Sequence, residues 1–267
     1  MNLNNTPGQY LLVAFIMLIV STAAHAKTEL SADEIVERAN QISYYAGEDG
    51  RADVHMQIKS GDGVTRERKF TLLRKNEGEG KQKFYAYFRA PADVNQMAYL
   101  VWKNPDGDDD RWLWLPALNL KKRIAPGDKR TSFVGSDFLY EDVSGRSPAL
   151  DEHVLVESTD STYVIKNTPK DPAAVEFSRY IVYIDAETFL PTKAQYYDHS
   201  DNLYRRVSAV TIETIQGIPT VMESKAEDLQ RESVTTNTFS NVEYNIGLNS
   251  RIFTERFLRR PPREVMK

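Results

Sequence analysis

The sequence contains no cysteine. Disulfides, thiol nucleophiles and cysteine-ligated metals are therefore excluded, and so is the acylated cysteine that anchors bacterial lipoproteins at their processing site. Histidine is scarce, with four in the chain. His25 lies near the N-terminus, His55 falls on the polar face of a predicted strand, His153 begins another, and His199 sits in the turn-like Asp198-His199-Ser200-Asp201. A Ser-His-Asp hydrolase needs one of these beside a nucleophilic serine, and no G-x-S-x-G elbow is present. H-E-x-x-H and glycine-rich phosphate loops are also missing. Asp106, Asp108, Asp109 and Asp110 crowd one turn, but a glycine directly follows the first of them. That spacing does not fit a calcium loop, so the cluster reads as a solvated acidic turn. No metal or cofactor is expected. Basic excess is lacking as well: 34 Lys and Arg against 38 Asp and Glu give a net charge of −4, which argues against generic nucleic-acid binding.

Long apolar runs are limited to one. Tyr10 to Val20 is an uninterrupted stretch of 11 residues, well short of the ~20 that a membrane-spanning helix needs. It has the length of a secretory h-region, and Ala24-His25-Ala26 fits an A-x-A cleavage site. The expectation is a signal peptide over residues 1–26, cleavage after Ala26, and a soluble periplasmic chain from Lys27 to Lys267. Roughly 240 residues suffice for one sizeable core, and no Pro/Gly/Ser-rich linker divides them, so a single domain is expected.

What is present is mostly strand pattern. Ser31-Ala32-Asp33-Glu34 is a capping box that opens a helix with an Ile35, Val36, Ala39, Ile42 stripe, ending near Tyr44. Ala52 to Lys59 then alternates, with Ala52, Val54, Met56 and Ile58 on one face, as a half-buried antiparallel strand does. Further strands are predicted at about Thr65–Lys75, Lys83–Arg89, Tyr99–Lys103 and Arg111–Leu115. After the basic segment Lys121-Lys122-Arg123, a short helix over Ser136–Val143 is expected, with Ser136 or Asp137 as its N-cap. Strands resume at His153–Ser158, Thr162–Asn167, Phe177–Asp185, Leu190–Tyr197, Leu203–Glu213, Thr220–Asp228 and Ser233–Tyr244, and a helical segment, Ile252–Leu258, closes the chain. Strands and helices do not alternate, which argues against a parallel sheet. The pattern fits a mainly β fold: one large, curved antiparallel sheet with helices packed in its concave face.

With catalytic motifs missing, the apolar surface becomes the candidate site, and the chain reads as non-enzymatic. Trp112 and Trp114 lie on one face of their strand, Leu113 and Leu115 on the other, and both faces must be covered by protein or ligand. Phe84, Phe88, Trp102, Trp112, Trp114, Phe138 and Tyr140 are the candidate ligand-binding residues. Lys121, Lys122 and Arg123 are candidates for a cavity rim that meets anionic headgroups.

These residues carry a family resemblance. The Trp112 strand, Leu115-Pro116-Ala117-Leu118, Lys122-Arg123-Ile124, Ser132-Phe133 and Gly135-Ser136-Asp137-Phe138 resemble the LolA-like family of outer-membrane lipoprotein-sorting proteins. Ile184 to Lys193, Tyr204-Arg205-Arg206, Ile218-Pro219 and Met222 fit the same pattern. The resemblance implies an incomplete β-barrel closed by helices, as in LolA and LolB, whose cavity shields acyl chains in transit. It also implies a monomeric shuttle toward the outer membrane, with lipid or lipoprotein acyl chains as cargo, transient membrane contact and an inner-membrane exporter as a partner. The Ser31 or Ser136 helix would serve as a movable lid. Two alternatives stay open: a sensor or adaptor of an RND/MMPL-type lipid exporter, and a metal-dependent lipid hydrolase using Asp137 or the acidic turn.

Overall fold

The computed structural model describes Met1 and residues 30–266; apart from Met1, the predicted leader and its cleavage point lie outside the described residues. The capping box forms as expected. Ser31 Oγ accepts from the Glu34 N–H at 3.2 Å, and the Glu34 carboxylate accepts from the Ser31 N–H at 2.8 Å. It opens helix α1 (Ala32–Asn40), which runs into a π-helical turn, Gln41–Tyr45.

Strands β1 (Asp49–Lys59), β2 (Thr65–Gly78), β3 (Lys81–Ala90), β4 (Ala98–Lys103), β5 (Asp110–Leu115) and β6 (Leu120–Ile124) follow as a meander. A crossing segment, residues 125–150, carries the short helix α2 (Tyr140–Ser144). Strands β7 (Asp151–Ser158), β8 (Thr162–Pro169), β9 (Arg179–Asp185), β10 (Pro191–Tyr197), β11 (Leu203–Ile215), β12 (Ile218–Asp228) and β13 (Ser233–Tyr244) form a second meander, and α3 (Arg256–Arg259) lies near the C-terminus. All 13 strands make one antiparallel sheet in the order β6-β5-β4-β3-β2-β1-β13-β12-β11-β10-β9-β8-β7. The chain therefore starts mid-sheet, winds out to one edge, crosses to the far edge and winds back to its starting strand. The edges β6 and β7 do not pair with each other, so the barrel is incomplete.

The crossing segment must span the sheet, and it does so on the inner face. Val54, Met56 and Ile58, the apolar face anticipated for β1, pack there with Phe70, Phe84, Phe88, Tyr99 and Leu113 against Phe133, Phe138 and Tyr140 of that segment. Helix α1 covers the other half of the same face, where Ile35 and Ala39 meet Ile165 and Ile184. The opposite face of β2–β5 carries Leu73, Tyr85, Tyr87, Leu100, Trp112 and Trp114, and the C-terminal segment covers it with Leu248, Ile252, Phe253, Leu258 and Val265. Asp49 anchors the start of this strap: its buried carboxylate accepts from the Ile246 and Leu248 N–H groups at 2.8 and 2.6 Å. Tyr85 Oη and Trp102 Nε1 then donate to the Phe257 and Phe253 carbonyls at 2.7 and 2.8 Å.

Three expectations are corrected. The basic segment 121–123, left out of the predicted strands, is part of β6: alternation is hidden because β6 is an edge strand with four of its five residues exposed, and charge on an edge discourages pairing with another chain. The C-terminal helix packs on the outer face rather than in the concavity. Neither Ser136 nor Asp137 caps α2. The Asp142 carboxylate takes the Leu139 N–H at 2.7 Å instead, while Asp137 accepts from the hydroxyls of Ser233 and Thr235 at 2.5 and 2.7 Å.

Candidate ligand cavity

Between the inner face, the crossing segment and the π-helical turn lies a cavity of about 510 Å³. Its position follows from side-chain size. On β1–β4 the inward residues are bulky, and the crossing segment adds Phe133, whose ring lies 5.3–6.2 Å from those of Phe70, Phe88 and Tyr99. On β10–β12 several of the wall residues are small, Ala194, Val207, Ala209 and Ser224 among them. Space remains where small residues face each other across the sheet. Ile42 and Tyr44 of the π-helical turn, Val182 and Tyr196 of β9 and β10, and Phe239 of β13 complete much of the wall.

Gly145 fixes how closely the crossing segment meets that turn. Its φ is +77°, and a β-carbon there would stand 2.6 Å from the Tyr44 ring; only glycine admits both the backbone and the contact. A second close turn holds Phe133 and Phe138 inward. Val134 and Gly135 have φ of 52° and 77°, the Phe133 N–H donates to the Phe138 carbonyl at 2.7 Å, and buried Ser136 donates through Oγ to the Phe133 carbonyl at 2.7 Å.

Beside the cavity the crossing segment is tied down by charge. Glu141, 3% exposed, pairs with Arg130 at 2.5 Å and Arg146 at 3.4 Å. Arg146 also meets Asp151 of β7 at 2.8 Å, Arg130 meets Glu176 at 2.7 Å, and Arg205 of β11 meets Asp142 at 2.5 Å. Burial alone would lower the Arg130 and Arg146 guanidinium pKa values, yet hydrogen bonds to Glu176 and Asp151 respectively hold them above the usual arginine range. Glu141, Asp142 and Arg146 reach the cavity wall, as do Arg51, Arg74, Lys193 and Glu243, so a largely apolar space carries charged groups on its wall. Burial raises the Tyr44 phenol well above the ordinary tyrosine value, leaving it a neutral hydroxyl that reaches the Asp142 carbonyl at 3.4 Å.

Of the residues singled out from the sequence, Phe84 and Phe138 line the cavity. Phe88 and Tyr140 are buried in the adjoining core. Trp102, Trp112 and Trp114 belong to the opposite face, under the C-terminal strap, with the Arg259 guanidinium 4.8 Å from the Trp114 ring centre. They are not cavity wall: both faces of β5 are covered by protein. Lys121, Lys122 and Arg123 lie on edge strand β6 away from the wall, and Lys121 and Arg123 pair with Glu255 and Asp110. The wall residues of β10–β13 were missed. Their signal is a run of small or polar residues at every second position, which sequence reading takes for an exposed face. His153 Nδ1 lies 2.6 Å from Asn167 Oδ1, and its Nε2 lies 3.0 Å from the Pro148 carbonyl, outside the cavity. Asp109 is not solvated but pairs with buried Arg111 at 2.6 Å. Among the described residues, no three His, Cys, Asp or Glu side chains gather as a metal site, and no helix is long and apolar enough to cross a membrane.

The fold is shared with proteins of known structure. A crystal structure of a DUF1329 family protein from Desulfovibrio piger superposes with a TM-score of 0.78 at 30% identity, over 85% of this chain and 97% of the other. The chain belongs to the DUF1329 family. A family model described only as that of an uncharacterized protein matches residues 80–260, a range that runs from β3 through α3. A Vibrio parahaemolyticus domain named for outer membrane lipoprotein sorting superposes at TM-score 0.77, with 24% identity over 86% of this chain and 98% of its own. A LolA superfamily protein from Nitrosomonas europaea does so at 0.67, with 19% identity over 86% and 100%. At those identities the likeness is one of fold, and this DUF1329 member shares the fold of both proteins. Among curated proteins none matches the sequence.

Proposed function

We propose that this protein is a non-enzymatic periplasmic carrier, one domain over residues 27–267, that holds acyl chains in the cavity and moves them toward the outer membrane. The observation that carries the proposal is the cavity itself, about 510 Å³ of largely apolar space left open by small inward residues. Ligand pockets fall in the range of ~300–1,000 Å³. Each methylene withdrawn from water contributes ~0.8 kcal/mol, so a chain of a dozen or more cannot cross an aqueous compartment unshielded. The leader-like residues 1–26 and the shared fold support export and carriage. Lipid or lipoprotein acyl chains are the cargo class, an inner-membrane exporter the donor, and the protein acts as a monomer touching membranes transiently.

Displacement of a fluorescent fatty-acyl probe tests this reading. The wild-type protein should bind the probe, and Val207→Trp, which fills the space between Ala194 and Ala226, should weaken binding at least tenfold while the protein stays folded. Equal binding by both would place the ligand elsewhere.

A further inference from the structure

Among the described residues of the cavity wall, one side chain has a buried polar atom without a hydrogen-bond partner. Asn237 projects from the inner face of β13, opposite Met56 of β1 and Ser224 of β12. It is 8% exposed and lines the cavity. Its Oδ1 is buried and has no hydrogen-bond partner among the described residues. The neighbouring Thr235 hydroxyl cannot serve, because it donates to Asp137. Several other polar side chains of the wall are matched within the protein. Thr220 Oγ1 lies 3.0 Å from Tyr244 Oη, Arg74 donates to Asn76 Oδ1 at 2.8 Å, and Arg146 is held by Asp151.

Asparagine is disfavoured in strands, and an unpaired buried acceptor costs stability. Valine or threonine would suit this position better on both counts. A residue that breaks two local rules without structural return marks a functional site. We propose, on the basis of the carrier reading, that Asn237 is a polar subsite, and that the cargo is an acyl chain carrying a hydrogen-bond donor, a hydroxyl or an amide N–H, rather than a plain hydrocarbon tail. Turned about its terminal torsion, the side-chain amide presents this acceptor to the donor and an N–H to an adjoining carbonyl. A plain chain placed against it leaves the acceptor unpaired, which is what gives discrimination.

Competition against a fluorescent acyl probe, with hexadecanoic acid, 3-hydroxyhexadecanoic acid and N-tetradecanoylglycine as competitors of similar length, tests this. The wild-type protein should prefer one of the two donor-bearing ligands over hexadecanoic acid by about tenfold. Which of the two it prefers separates a hydroxyl from an amide source. In Asn237→Leu the ratio should fall to about one, with hexadecanoic acid bound as tightly as before or more so and the melting temperature unchanged or raised. Asn237→Ala should also lose the preference, and serves if the larger side chain perturbs folding. Equal binding of all three ligands by the wild-type protein, or a preference that survives in both variants, overturns the subsite while leaving the carrier reading intact. Failure of every ligand to bind the wild-type protein overturns both.

Discussion

Lys103 shows how much of the fold's polar chemistry is spent on holding the crossing segment. Its ammonium, 6% exposed, donates to the carbonyls of Ser144 and Gly145 at 2.5 and 3.3 Å, closing the C-terminal end of α2. The Tyr44 and Tyr45 rings stand 5.2 and 5.7 Å away. Burial pushes the group down to about 8; the negative charges of Asp109 and Glu141 oppose that fall and Arg111 adds to it. An unfolded lysine titrates near ~10.4. Between these values the unfolded chain holds a proton that the folded one has released, so this group's contribution to stability is present above the unfolded value and is lost as pH falls through 8. Urea unfolding of the wild-type protein should therefore gain on Lys103→Met by up to about 1.4 kcal/mol per pH unit from pH ~8 to ~10. Parallel curves for the two proteins would contradict the assignment. None of this was legible in the sequence, where Lys103 is one charge among many: its burial depends on contacts more than 40 positions away.

At the scale of elements, the strands were legible and their faces were not. Alternation placed Val54, Met56 and Ile58 together correctly because β1 is wet on one side. On β5 it gave two bulky faces and no way to choose between them. The Trp face went to the C-terminal strap, whose apolar residues Leu248, Ile252, Phe253, Leu258 and Val265 follow no regular period and so carried no signal. Edge strand β6 was hidden by its own charge. The short helix α2 was expected, but its fastening was not: Glu141 pairs with Arg130 and Arg146, 11 and 5 positions away in the crossing segment, and these arginines pair in turn with Glu176 and Asp151. Removing one member of a buried ion pair typically costs 3–5 kcal/mol because the remaining charges lose their compensation. Glu141→Gln should accordingly lower unfolding stability by about 3 kcal/mol and speed hydrogen exchange in residues 129–146 relative to β1–β3. A loss below about 1 kcal/mol would mean that the aromatic plug around Phe133, and not the ion network, holds the segment.

The molecule as a whole is a sheet that leaves from its centre, reaches one edge, crosses its own inner face and returns. That topology makes a cavity almost unavoidable, because a single 26-residue crossing and one short helix cannot fill the concavity of 13 strands. The LolA-like resemblance foretold this architecture, and the structure and the D. piger relative agree with it. Where the space would fall was not foretold. Aromatic residues mark where such a barrel is full, and the opening lies on the second meander, where alanine and serine face inward. The same rule applied to the sequence would have directed attention to Ala194, Ala209, Ser224 and Asn237 instead of the tryptophans.

The central claim is that this space carries acyl cargo in the cell. Native mass spectrometry of the exported protein, recovered under non-denaturing conditions from the periplasm of its own host, tests it most directly. The account predicts a mass above that of the polypeptide by one lipid, released on denaturation and missing from Val207→Trp isolated in the same way. A polypeptide mass with no adduct in the wild-type protein, together with no displacement of an acyl probe, would contradict it.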